Sequence, residues 1–157
     1  MSGDVLYMKN IAIMATLITA SNIDLKERRI PNITVVAMFI YGLLDIIYVL
    51  VVEKGLTDLS KEILIEKVLG FIVATLICVL SRYISKEGLG AGDVKMLAAL
   101  GFTLGLTVFL QMMIFTAVFA LILTLIMLAM HKLDKTSTLP FAPYMALGMG
   151  VTFLINL

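Results

Sequence analysis

The sequence predicts an all-α fold, a polytopic membrane protein of six transmembrane helices forming one domain over residues 1–157, and three observations predict it. Mean hydropathy is +1.09, with 61% hydrophobic and only 15% charged residues, far from the balance of soluble domains. Apolar runs of spanning length recur along the chain, since about 20 apolar residues cross a ~30 Å hydrocarbon core. Basic residues gather in alternate loops. A formal net charge of +1, with no block of like charge, gives no reason to expect a nucleic-acid partner; the expected surroundings are the lipid bilayer.

The first span runs near 5–22. Asp4 precedes it in place of a basic n-region and no small-residue cleavage site follows, so it reads as retained. Further spans lie near 33–52, 64–84 and 141–156. Between the last two, the tract 94–130 would make a helix of ~55 Å at ~1.5 Å per residue, too long for one crossing. It must turn back between Gly105 and Gln111, which makes six spans. Lys26, Arg28, Arg29, Arg82, Lys86, Lys95, Lys132 and Lys135 fall on one side, and Lys9, Lys54, Lys61 and Lys67 on the other. The richer side belongs inside. This puts the loops around 23–32, 82–95 and 131–140 in the cytoplasm of a cell-membrane protein and both termini outside.

Small residues at four-residue spacing, Gly70 with Ala74, Gly101 with Gly105 and Ala146 with Gly150, read as close helix packing. The single cysteine, Cys78, allows no intrachain disulfide or CxxC metal site and reads as packing. His131, beside Lys132 and Lys135, reads as solvated, and Glu27 and Asp134 as loop charges. No metal or cofactor is expected. Asp45, within an apolar stretch about seven residues from the outer end of its span, reads as structural, set against Lys67.

The chemistry centres on Gly88-Leu89-Gly90-Ala91-Gly92-Asp93-Val94-Lys95, a glycine-rich loop running into apolar sequence. An aspartate there can cap a helix or serve a reaction, and both readings stand on this stretch alone. The first cytoplasmic loop carries Asp24 ahead of Ile30-Pro31-Asn32, with Pro31 suited to a helix start. Alone, Asp24 reads as a solvated loop charge. The predicted topology brings both carboxylates to one boundary, where two such groups near a low dielectric can share a proton. One then activates water while the other protonates the substrate, as in an aspartic protease.

These residues resemble the type IV prepilin peptidase family of GxGD membrane aspartyl proteases. The likeness is carried by Asp24, Lys26 and Ile30-Pro31-Asn32; by Gly90-Ala91-Gly92-Asp93-Val94-Lys95 with Leu97-Ala98-Ala99-Leu100-Gly101; and by Leu139-Pro140-Phe141-Ala142-Pro143-Tyr144-Met145-Ala146-Leu147-Gly148. The resemblance implies a GxGD-type protease fold and an endopeptidase that removes short basic leaders from prepilins or pilin-like proteins at the cytoplasmic face. It implies Asp24 and Asp93 as the catalytic pair, with Gly90 and Gly92 admitting the scissile segment and Lys95, Pro140, Phe141 and Pro143 supporting the site. Larger relatives carry an N-terminal region with paired CxxC motifs and also methylate the new N-terminus; with one cysteine here, a short peptidase-only form is expected and N-methylation is not. Presenilin-type proteases share GxGD, but their other aspartate lies within a helix after Tyr, whereas Asp24 follows Ile23 in a loop-like setting. The alternative of another class is a small ion- or proton-coupled transporter, or a non-catalytic secretion-system component.

Overall fold

The computed structural model describes residues 3–53, 55, 57–84, 90–130 and 140–156. They form six helices: α1 (Gly3–Glu27), α2 (Asn32–Val52), α3 (Asp58–Ile84), α4 (Ala91–Leu104), α5 (Leu106–Ala129) and α6 (Ala142–Ile155). Lys54, Lys86, Gly88, Leu89, His131, Lys132, Asp134, Lys135 and Leu139, all drawn on in the sequence reading, lie outside the described residues.

Three of the helices, α2, α3 and α5, are long and apolar enough to cross a membrane. The expectation of six full spans is met by six helices, of which α4 and α6 have only 14 residues each, or ~21 Å at 1.5 Å per residue. The long tract does turn back. It does so at Gly105, whose φ of 80° is open to glycine at little cost. The new helix start is covered from α3, where Glu66 Oε2 accepts the Thr107 N–H at 3.1 Å and its hydroxyl at 3.2 Å. A carboxylate suits that end of a helix dipole.

Helix α1 outlasts its apolar run. Arg28 N–H still donates to the Asp24 carbonyl at 2.9 Å, and the helix ends there because Arg28 takes a φ of 51°, a left-handed stop. Pro31, extended at φ −65° and ψ 138°, then opens α2. Its carbonyl accepts the Thr34 hydroxyl at 2.7 Å.

The centre of the bundle is α4. Met96 to Gly101 are buried without interruption, as is Thr103, so no face of this helix meets lipid over that stretch. Helices α2, α3 and α5 surround it, and α6 packs on α5 and α1. The small residues make the closest approaches. A Cβ on Gly70 would meet the Gly101 carbonyl oxygen and stand 2.8 Å from the Gly105 carbonyl carbon, and one on Gly101 would stand 2.8 Å from Ala74 Cβ. The α3–α4 crossing thus uses both pairs read from the sequence. On α6 the tight position is Gly148, where a Cβ would stand 2.8 Å from Met112 O. Gly150, expected there, has only ordinary contact with Met14 at 3.6 Å.

Candidate active site

The end of the bundle where α1 finishes and α2, α4 and α6 begin collects the motif residues. Asp24 is not the solvated loop charge that its own stretch, taken alone, suggests. It sits in the last turn of α1 and is 5% exposed, because the helix runs past its apolar run and carries the carboxylate beneath the start of α6. Asp24 Oδ2 there accepts the Ala142 N–H at 3.1 Å. A helix begins with unsatisfied N–H groups and a positive dipole end, both of which suit a carboxylate. The Pro140-Phe141-Ala142-Pro143 run arranges this meeting. Phe141 is the N-cap and its carbonyl takes the Tyr144 and Met145 N–H groups at 3.1 and 3.3 Å. Pro143 has no N–H to offer, so the first free donor of α6 is Ala142.

Asp93 is the third residue of α4, after the N-cap Gly90. Its carboxyl hydrogen-bonds back to the Gly90 backbone, the reach of a capping-box residue. Capping therefore accounts for one side of the group. The other oxygen, Oδ1, is buried with no hydrogen-bond partner among the described residues, an arrangement that native proteins rarely keep without use. Asp93 lies ahead of the apolar stretch of α4, and its pKa is pushed up from 3.8 to about 6. Burial is the main cause, the neighbouring Asp24 carboxylate adds to it, and the Gly90 hydrogen bond opposes it. The two aspartates, 69 positions apart in sequence (93 less 24), are brought within electrostatic reach of each other.

The remaining motif residues hold the two ends together. A Cβ on Gly92 would stand 3.1 Å from Ile30 Cβ and 3.3 Å from Ile30 N. The close approach that this glycine permits is to the loop after Asp24, and the space beside it is already taken by the chain's own Ile30. Gly90 is exposed, its nearest neighbour Asp93 Oδ2 at 3.1 Å from a built Cβ. Lys95 turns away from Asp93, as residues two apart on a helix do, and its Nζ donates to Asn32 Oδ1 at 3.4 Å. That contact sits at the head of a groove of about 480 Å³ between α2, α3 and α4, walled by Val35, Phe39, Phe71 and Val94. A second cavity of about 420 Å³ lies on the Asp24 side, beside Ile23, Glu27 and Pro31.

One participant escaped the sequence reading. The Ala142 N–H has no side-chain signature beyond the proline that follows it. Cys78, read as inert packing, is buried on α3 within electrostatic reach of Asp93. At the opposite end, Asp45 does meet Lys67, at 2.8 Å, and also Lys9 at 3.1 Å. This carboxylate is thus paired with two lysines, in line with its structural reading.

Fold and site together define an all-helical, multi-pass membrane protein with two carboxylates meeting at one end of the bundle. The model of the type IV leader peptidase family matches residues 11–129, and the chain belongs to that family. Similar proteins include the prepilin leader peptidase/N-methyltransferase of Xanthomonas campestris pv. campestris, 28% identical over 144 residues that cover 91% of this chain and 48% of the relative. Proteins of the same name match from Stutzerimonas stutzeri, at 29% over 88% of this chain and 46% of the relative, and from Pectobacterium carotovorum subsp. carotovorum, at 27% over 93% and 50%. The chain spans about half the length of these curated relatives. No solved structure matches it.

Proposed function

We propose that this protein is an aspartic endopeptidase of the cell membrane that removes the short basic leader from type IV prepilins or pilin-like proteins, with Asp24 and Asp93 as its catalytic pair. The observation that carries the reading is that two carboxylates lie within electrostatic reach at one end of the bundle, Asp24 buried beneath the start of α6 and Asp93 half-buried in the first turn of α4, the latter with an oxygen unpartnered among the described residues and a raised pKa.

The chemistry follows from that asymmetry. Asp93 holds the proton that the pair shares, because ionising it beside the Asp24 carboxylate in a buried setting is unfavourable. Asp24, steadied by the Ala142 N–H, takes a proton from the attacking water, and Asp93 gives its proton to the scissile carbonyl oxygen. A gem-diol results. The proton taken by Asp24 then passes to the amide nitrogen, the C–N bond breaks, and the diol returns its proton to Asp93, so one water is consumed and the pair is restored. The groups assembled at this site serve hydrolysis, and the proposal does not include methyl transfer to the new N-terminus.

We place the site at the cytoplasmic face, both termini outside, and the whole chain in one domain. Two of the four basic residues counted on the outer side, Lys9 and Lys67, are engaged with Asp45 inside the bundle, which sharpens the basic bias toward the other face. The test is cleavage of a purified prepilin by the purified protein in water enriched in oxygen-18. One labelled oxygen in the leader's new carboxylate supports hydrolysis of the scissile bond; intact prepilin after prolonged incubation would refute the activity.

A further inference from the structure

The ion cluster at the far end of the bundle joins the two helices that carry the aspartates. Lys9 on α1 donates to Asp45 Oδ2 on α2 at 3.1 Å, and Lys67 on α3 reaches the same oxygen at 2.8 Å. Lys67 Nζ also donates to the Thr103 carbonyl, in the last turn of α4, at 2.8 Å. The Thr103 hydroxyl in turn bonds the Met38 carbonyl of α2 at 2.7 Å. A cation at a helix C-terminus is favoured by the dipole, so Lys67 is held from both sides and is only 3% exposed.

Each helix is a stiff rod with 1.5 Å of rise per residue. Lys9 lies fifteen residues, or ~22 Å, from Asp24 along α1, and Thr103 lies ten residues, or ~15 Å, from Asp93 along α4. Apolar side chains in a membrane bundle resist separation of helices more than they resist sliding. Ion pairs in a low dielectric resist both, because their energy depends steeply on distance. The seam between α1 and α2 needs such a tie, since beside Lys9 and Asp45 it opens into a cavity of about 310 Å³ bounded by Tyr41, Leu44 and Tyr48.

We propose that Lys9, Asp45 and Lys67 are positioning residues, whose ion pairs fix the height of α1 relative to α4 and so the approach of Asp24 to Asp93. The proposal rests on the paired-aspartate reading of the site. It assigns a role in catalysis to charges that touch neither substrate nor reacting atoms. The titratable group acting on Asp93 from a packed element is Asp24 on α1, while Cys78 on α3 lies within electrostatic reach of Asp93; slippage of α1 against α4 removes the influence of Asp24.

Two measurements on the full chain test this. Spin labels at Lys26→Cys and Lys95→Cys in a Cys78→Ala background report the distance between the α1 and α4 ends, and steady-state cleavage by unlabelled protein reports kcat, KM and the pH profile. Lys67→Met is expected to broaden the distance distribution, lower kcat about tenfold or more with KM unchanged, and move the alkaline limb of activity to lower pH. If Lys67→Met does not fold, the triple variant Lys9→Met/Asp45→Leu/Lys67→Met removes the cluster without stranding a charge, a replacement that buried ion pairs often tolerate; the same changes are expected. A folded variant without the cluster that keeps the wild-type distances, kcat and pH limb overturns the proposal. Failure of the wild type to cleave defeats the peptidase reading instead, and the distance measurement then decides the positioning claim alone.

Discussion

Replacing Asp93 by Asn should abolish activity and at the same time make the protein more stable at neutral pH. The native pKa of about 6 lies roughly two units above the ordinary 3.8, so the fold disfavours the charged form. Asp93 is protonated in both folded and unfolded chains below pH 3.8 and costs nothing there; as pH rises through about 6, ionisation is penalised only in the folded state and stability is lost. At 1.36 kcal/mol per unit the full shift is about 3 kcal/mol, and partial exposure reduces it to about 1–2 kcal/mol. Asn keeps the shape and an oxygen to accept the Gly90 N–H, so the variant escapes the penalty without losing that hydrogen bond. For a chain of this size that is about 3–6 °C in Tm. The assay is thermal unfolding of purified wild type and Asp93→Asn in detergent from pH 4 to 8. The expected gap is near zero at pH 4 and opens through pH 6 in favour of Asn. A variant no more stable than wild type at pH 7.5, or a gap that does not vary with pH, refutes the reasoning.

Three further outcomes are expected. If Asp93 must carry a proton, kcat/KM should fall on the alkaline side with an apparent pKa of about 6, and a profile flat from pH 5 to 8 would contradict the assignment of roles. Gly92→Ala pushes a methyl to 3.1 Å from Ile30 Cβ; overpacking of this kind costs about 1–3 kcal/mol, and displacement of the loop after Asp24 should reduce cleavage more than it reduces folded yield on purification. Reporters fused after Arg28, Lys86 and Lys132 should all read cytoplasmic and one after Thr57 external; opposite sides for Lys86 and Lys132 would be incompatible with the turn at Gly105.

Much of this arrangement was legible because membranes leave few choices. Length against bilayer thickness demanded a turn in 94–130, and glycine supplied it at Gly105. The lone intramembrane Asp45 demanded a cation, and Lys67 is one of the two it found. What escaped was set by tertiary contact. Asp24 reads as a loop residue because the apolar run stops before it, yet α1 continues and buries it under α6. Nothing in periodicity announces that a backbone N–H of Ala142 will receive its carboxylate. The role of Gly92 is likewise invisible locally, since Ile30 lies sixty-two positions earlier (92 less 30). Lys9 was counted with the loop charges because its partner is on another helix.

The central claim is that Asp24 and Asp93 act as one unit, and leader cleavage by purified Asp24→Asn, Asp93→Asn and double variants tests it most directly. Members of a catalytic unit fail non-additively, so each single variant should lose activity to background while remaining folded, and the double variant should be no worse. Cleavage persisting in a homogeneous preparation of either single variant, with no other protease present, would contradict the account.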